Sequence, residues 1–456
     1  MTENNVNYRY VGDVEVKRMT MVTQAGQIIQ LGPIVQEVSI FQNIFNHYLE
    51  CEIVVSDAQG LIDSIKSIRD NDIQGGFNGG EILEISYKTR DKDLDFKNHL
   101  FALYKLTDRI RVDEKQETYV ISGISYEAYI TAPMKISRAL GGSKGNTISN
   151  MLSSIVNEHL YNRVAKDFNR NYREIDAIRV EKEVSIDPTT GLQRFIIPNM
   201  TVDETIEFLV NEADNADHIP FYAFFENSHG YNFKDFNNLV LQEVKEEFSY
   251  LPQNLPDQNS QENDKHRDFQ RIMSYEVIRQ TNVLKNAREG LFRSRTINLD
   301  ILKKNKHEVV YNYENEQQKF NKLQQNKIPA TVGGDAVVNL IQSRTGHDVC
   351  CPLFEPENHL PKRMNQFISV RRSYKKHLFN TILNVTVPGN SELNVGDLIY
   401  LHIPVATTLE KRDGKDDKYL SGKYIITSLR QKFGGKTGET FTTFLECVKD
   451  TGIERP

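Results

Sequence analysis

The chain has 456 residues, enough for about three domains that each bury a core. Its 56 basic and 62 acidic residues leave a net charge of −6, which argues against a protein whose main task is to coat duplex DNA. Hydrophobic residues at 39% and charged residues at 26% describe a folded, somewhat polar chain with no apolar run of membrane-spanning length, so no membrane insertion is expected. The opening Met1–Val6 lacks the basic and apolar regions of a secretory signal, and the chain is read as soluble and made in the cytosol.

Residues 1–132 read as a first β-block. Leu49, Cys51, Ile53 and Val55 alternate with Glu50, Glu52 and Ser56, and Leu83, Ile85 and Tyr87 alternate with Glu84 and Ser86, the period of a half-buried strand. Thr118 to Tyr126 is a third strand candidate, and the glycine pairs at 75–76 and 79–80 punctuate the block. This block holds seven more acids than bases and so carries the acidity of the chain. Residues 133–250 change to an α/β texture. Ile148, Met151, Leu152, Ile155, Val156 and Leu160 predict an amphipathic helix opened by Asn146 or Thr147. Thr201 and Glu204 form a capping-box pattern ahead of Ile206, Leu209 and Val210. Pro220 to Phe225, a turn at 226–230, and Tyr231 to Phe233 predict a hairpin.

Residues 251–268 are a polar, proline-bearing linker by composition. Residues 269–302 begin a second β-block, in which Ile297, Leu299 and Ile301 are expected to alternate against Thr296, Asn298 and Asp300. The Asn-, Gln- and Lys-rich start of 303–365 reads as a solvated insertion, and 366–456 as the remainder of the second β-block. The expected fold class is α+β, mainly β.

Little in the chain carries chemistry. Cys51 and Cys447 sit in strand patterns and read as small buried hydrophobes, while the adjacent Cys350 and Cys351 have no second pair at metal-ligand spacing. Gly434–Thr437 imitates the end of a phosphate loop, but Arg430 stands where the pattern needs glycine, so a hairpin turn is expected. Gly141–Gly145 fits no nucleotide fingerprint, no nucleophile elbow occurs, and no pair of carboxylates is singled out. No metal, cofactor or catalytic residue is therefore expected. Lys362, Arg363, Arg371, Arg372, Lys375 and Lys376 form a basic cluster interleaved with Tyr374 and Phe379. It reads as a solvated face ahead of a strand, or as an electrostatic contact with an acidic partner or neighbouring subunit, with direct nucleic-acid recognition a minor alternative.

The run Ile196–Ile206 with Pro198, followed by Phe208, Ala213, Phe221–Asn227, Gly230 and Phe233, resembles the central baseplate hub proteins of contractile-tailed bacteriophages. Further stretches match in the same order: Tyr275–Ile278, Asn286, Gly290–Phe292 and Asp300; Val387–Asn390, Val395–Ile399 and Ile403–Pro404; Tyr419–Thr427 and Phe441–Phe444. Met200 departs from the pattern, standing where a tryptophan is common. The resemblance implies two antiparallel β-barrel tube domains flanking the α/β domain and a non-enzymatic, structural role. Three copies would form a pseudo-sixfold ring that adapts a hexameric tail tube to a trimeric central spike and provides a DNA-exit channel. The implied partners are further copies of the chain, the tail tube or tube-initiator protein, the spike and the baseplate wedge proteins, with DNA only as transient lumen cargo. The implied location is the virion's tail baseplate, assembled in the host cytoplasm. An acidic lumen wall would keep exiting DNA from sticking. Two alternatives stand beside this reading: the hub of a related injection machine of type VI or tailocin kind, and a tail-associated peptidoglycan hydrolase.

Overall fold

The computed structural model describes residues 12, 14–65, 76–88, 100–164, 182–250, 269–300, 305–324, 338–344, 364–405, 416–434 and 441–451. The protein is mainly β, and its largest sheet joins 13 strands drawn from both ends of the chain.

The first block contributes β1 (Glu15–Val22), β2 (Ile28–Gln30), β3 (Val35–Asn43), β4 (Glu50–Asp57), β5 (Glu81–Lys88), β6 (Leu100–Asp113) and β7 (Gln116–Ser125). The predicted alternation holds: Leu49, Cys51, Ile53 and Val55 are buried with Leu83, Ile85 and Tyr87, while Glu50 and Glu52 face water. These strands pair antiparallel in the order β3-β4-β7-β6-β5-β1-β2 around one apolar core. Helix α1 (Tyr126–Thr131) follows β7 and covers the outer side of β1, β5 and β6 through Tyr126 against Val22, Ile82 and Ala102.

The α/β block folds as its sequence patterns require. Strand β8 (Lys135–Leu140) precedes α2 (Ile148–Ile155), which opens on Thr147 as N-cap and runs on as a π-helical segment to Arg163. Strand β9 (Glu183–Ile186) is followed by β10 (Phe195–Thr201), the partner of β8. The capping box at Thr201 and Glu204 is formed, with both reciprocal hydrogen bonds, and starts α3 (Val202–Glu212). The predicted hairpin is β11 (Tyr222–Glu226) and β12 (Gly230–Asp235), and β9 adds to it in parallel. Helices α2 and α3 bury Met151, Leu152, Ile206 and Leu209 against Phe195, Phe224 and Phe233.

The closing block contains β13 (Glu246–Ser249) and β14 (Ser274–Arg279), then β15 (Arg293–Asp300), β16 (Asn305–Asn312) and β17 (Val338–Arg344). Helix α4 (Met364–Leu378) leads to β18 (Thr381–Pro388), β19 (Leu398–His402), β20 (Gly422–Gly434) and β21 (Thr442–Lys449). Strands β14-β18-β21-β20-β19-β13 follow one another, and Arg271, just ahead of β14, bridges back to Ser249 of β13, so the ladder returns on itself around a second core. Two expectations fail here. β15 leaves this ladder and forms a separate three-stranded sheet with β16 and β17. Its buried face also carries Ser294 and Thr296, with Ile297 only half-buried. The reason is α4, which approaches closely because small hydroxyl residues meet there: Thr296 Oγ1 lies 2.5 Å from Ser369 Oγ, and Tyr311 donates to Ser373 at 2.8 Å. The stretch read as solvated likewise buries Tyr311, Tyr313, Phe320 and Leu323 in the second core. The 251–268 linker and the Cys350–Cys351 pair lie outside the described residues.

The two blocks keep distinct cores but share one sheet. β20 is long enough to pair with β21 and also, through Ser428–Gly434, with Asn43–Glu37 of β3. Its end enters the first core: Phe433 and Phe441 pack there, the Phe433 ring 4.6 Å from that of Tyr87, and Tyr87 donates to Gln431 at 2.5 Å. Phe441 also donates to Gly12 O at 2.7 Å, which brings the lead-in to β1 alongside β21.

Candidate functional site

Among the described residues, strands of both blocks build one extended sheet face. Four strands of the first block, β3, β4, β7 and β6, abut four of the second, β20, β21, β18 and β14, all antiparallel. The pleat turns every second residue toward this face, so Glu37, Phe41, Glu50, Glu52, Arg430, Lys432, Phe444, Glu446 and Glu276 share it. Where the blocks meet, the face dips into a groove of about 400 Å³ lined by Phe41, Asn43, Glu50, Arg430 and Phe444. The Arg430 guanidinium lies between two rings, 5.4 Å from Phe41 and 5.7 Å from Phe444. It also donates to Glu37 at 3.1 Å, and Lys432 reaches the same carboxylate at 2.7 Å. Both cations of the joint are thus partnered on the spot, and Glu50, Glu52, Glu276 and Glu446 give the rest of the face its sign.

Two polar clusters tie the three blocks together. Asn394 Oδ1 accepts from Gln42 at 3.2 Å and from the Ser228 hydroxyl at 2.7 Å, and Gln42 accepts from Val395 N at 3.2 Å. One side chain from each block meets there. The second cluster is buried around Lys182, whose ammonium donates to Glu127 and Glu226, each at 2.6 Å, and lies 5.3 Å from the centre of the Tyr231 ring. Burial alone would lower the Lys182 pKa, but the two carboxylates outweigh it and hold the group above its usual value. Glu226 in turn accepts from Leu49 N at 3.1 Å and from Ser125 at 2.6 Å, both in the first block. Sequence reading missed this cluster because its hydrogen-bonded partners are 44 to 177 residues apart along the chain, from Lys182 with Glu226 to Leu49 with Glu226.

The basic cluster divides on folding. Lys362 and Arg363 lie outside the described residues, and the rest sit on α4, the helix that precedes β18. That helix forms because Phe367, Val370, Tyr374 and Leu378 recur at 3–4 spacing and are buried. Arg371 is used internally, donating to Pro220 O at 2.7 Å and to Asn211, which pins α4 to the α/β block. Lys376 pairs with Glu289. Lys375 lies over the Phe45 ring at 4.3 Å, and Arg372 is exposed.

Helix α4 also buries His377, whose Nδ1 meets the Tyr313 hydroxyl at 2.9 Å. Burial, with Lys322 nearby, pushes its pKa down to about 3, whereas burial pushes the neighbouring Asp450 up to about 6 against three backbone N–H bonds. The unfolded chain protonates this histidine near its ordinary value while the folded chain does not. Its contribution to stability is therefore present above about pH 6.5 and is lost as the pH falls toward 3. Asp450 acts in the opposite sense: the folded state holds its proton more tightly, so stability is regained as the pH falls from about 6 toward 3.8. The His377 ring protons are expected to keep constant NMR shifts between about pH 7.5 and 5 while exposed histidines titrate. A His377 midpoint near 6.5 would contradict the buried, neutral assignment.

Among the described residues no group of His, Cys, Asp and Glu could hold a metal ion. Cys51 and Cys447 are buried free thiols, with burial pushing both pKa values up. The Gly435–Thr437 part of the glycine turn lies outside the described residues. No described helix is long and apolar enough to cross a membrane.

No sequence family and no curated protein matches the chain. Among solved structures, it is similar to the 43 kDa tail protein of prophage MuSo2 from Shewanella oneidensis, at TM-score 0.49 and 11% identity over 96% of this chain and 99% of that one. It is similar to a tail protein from Neisseria meningitidis MC58, at TM-score 0.47 and 9% identity over 95% and 97%. It is also similar to the half-lidded PdpA–VgrG complex of Francisella, at TM-score 0.43 and 8% identity over 97% of this chain and 59% of that one.

Proposed function

We propose that the chain is a structural baseplate hub of a contractile phage tail. Three copies form a pseudo-sixfold ring that joins a hexameric tail tube to a trimeric central spike and leaves a channel for DNA. One observation carries this reading: each block offers four antiparallel strands to a common sheet while keeping its own core, so three chains present six similar units to a sixfold neighbour. The acid-dominated open face fits a channel wall over which DNA slides, because cations that would hold phosphates are few and Arg430 and Lys432 are already paired. The outward-facing Arg372 is placed to meet an acidic wedge or spike surface, and assembly in the host cytoplasm into the virion baseplate follows from the same role.

Light scattering on the purified chain, with and without the trimeric spike protein, tests the reading. A trimer, at least in the presence of the spike, is expected, and a stable dimer under both conditions would overturn it. The chain alone is expected to leave the turbidity of a cell-wall suspension unchanged; clearing would point to the hydrolase alternative. Capsid and DNA-packaging genes beside the coding sequence would separate a phage hub from one of a type VI or tailocin machine.

A further inference from the structure

The lead-in to β5 holds a group of residues with no part in the shared sheet face or in the polar clusters. Asn78–Gly79 is the one Asn-Gly pair in the sequence, and it opens a turn of two glycines with φ of 86° at Gly79 and 90° at Gly80. Both are left-handed values that glycine adopts at little cost. The peptide between the two glycines is held in place: Gln24 donates to Gly79 O at 2.8 Å, and Gly80 N donates to Leu103 O of β6 at 2.6 Å. Tyr129 of α1 closes in as well, since a Cβ on Gly80 would stand 2.7 Å from its hydroxyl. Asn78 itself is exposed.

Glu81, the first residue of β5, is only 2% exposed. Its carboxylate draws the backbone N–H groups of Glu81, Asn78 and Gly79, with Oε1 accepting from Asn78 N at 3.2 Å. Oε2 has no hydrogen-bond partner among the described residues. Burial pushes the Glu81 pKa up against these three donors, which makes the carboxylate a stronger base than one in water. The Gly79 N–H carries the proton that must leave for that nitrogen to bond to Asn78 Cγ. Glycine also has no side chain to crowd such an approach. An amide, its nucleophile and a base thus share one turn, and the exposed position of Asn78 lets water in and ammonia out.

We propose that Asn78 is a self-deamidation site at which Glu81 serves as the general base. Gly79 N attacks Asn78 Cγ while Glu81 takes the proton of that nitrogen, and the new N–Cγ bond forms. Protonated Glu81 then returns the proton to Nδ2 as the Cγ–Nδ2 bond breaks and ammonia leaves. Water adds to one carbonyl of the resulting succinimide and the matching C–N bond breaks, so an amide and a water become a carboxylic acid and ammonia. Opening at Cγ gives aspartate, whereas opening at the backbone carbonyl of Asn78 gives isoaspartate and lengthens the main chain by one carbon. Either product sets a second carboxylate in the turn that enters β5, a lasting mark of the age of the folded first block. The conversion is independent of the hub reading.

The test incubates the full-length chain, folded or in denaturant, in heavy-oxygen water and follows Asn78 by peptide mass spectrometry and isoaspartate-specific methylation. The folded chain is expected to convert Asn78, taking up one solvent oxygen, about tenfold or more faster than the denatured chain, where the turn and its base are lost. The buried Asn227 and Asn390, each followed by serine, are expected to keep their amides over the same period. Glu81→Gln is expected to bring the folded rate down to that of the denatured chain or below it, with melting and circular dichroism unchanged. A folded chain that keeps its Asn78 amide as long as the denatured one would overturn the proposal, as would equal conversion at all three asparagines. So would a Glu81→Gln chain that melts like the wild type and converts as fast. The comparison of folded with denatured wild-type chain needs no variant and decides alone if Glu81→Gln does not fold.

Discussion

Replacing Lys182 by methionine is expected to lower the stability of the protein by about 3–5 kcal/mol, measured by denaturant unfolding. The ammonium is the shared partner of Glu127 and of Glu226, and the Glu226 side chain has no exposed surface. With the cation gone, Glu226 is left as a lone buried anion or must take up a proton. The deficit is therefore larger at about pH 8 than at about pH 5, because the buried carboxyl of the folded state takes up its proton at less cost the closer the pH lies to the ordinary glutamate range. Adding Glu226→Gln is expected to restore part of the loss, since an amide oxygen still accepts from Leu49 N and Ser125. A variant with unchanged stability, or a double variant worse than the single one, would show that the cluster is not what joins the first block to the α/β block.

Gly230→Ala is expected to cost about 2–6 kcal/mol, from backbone strain and overpacking together. Gly230 has φ of 142°, a conformation that L side chains rarely adopt. A Cβ there would stand 2.2 Å from Glu183 O and 2.7 Å from Glu183 N, both backbone atoms that cannot swing aside. Gly230 and Glu183 are partners in the parallel β12–β9 pair, so the methyl would push β9 outward and carry the adjacent Lys182 with it. The two substitutions should consequently couple: the loss in Lys182→Met plus Gly230→Ala is expected to be smaller than the sum of the single losses. Strict additivity in a double-mutant cycle would contradict this.

Local patterns in the sequence were enough for β4, β5 and β7 of the first block, the capping box at Thr201 and the β11–β12 hairpin. Each depends on residues within a few positions of one another, where side-chain period and capping chemistry act directly. The failures came where tertiary packing decided. Alternation through Ile297 suggested an apolar inner face, but α4 selected Ser294 and Thr296 because hydroxyl pairs with Ser369 and a close approach suited them better. The polar texture around Asn305–Leu323 hid Tyr311, Tyr313 and Phe320, aromatic residues set among Asn, Gln, Lys and Glu. In the basic cluster, composition could not separate Arg371, which holds two blocks together, from Arg372, which faces water. The Lys182 cluster and the groove around Arg430 were illegible for a simpler reason, since nothing local relates Glu37 to Arg430 across 393 residues.

The shared strand β20 has a consequence for how the chain is made. Asn43 of β3 and its neighbour Ser428 are 385 residues apart, so at about 5–20 residues per second roughly 20–80 s of synthesis separate them. Until then the outer edge of β3 lacks its partner strand, and the first core lacks Phe433 and Phe441. The nascent amino-terminal half thus waits as an unfinished cylinder with one sticky side, a natural client for a holdase chaperone, and ribosomes that stall before β20 should release aggregation-prone fragments.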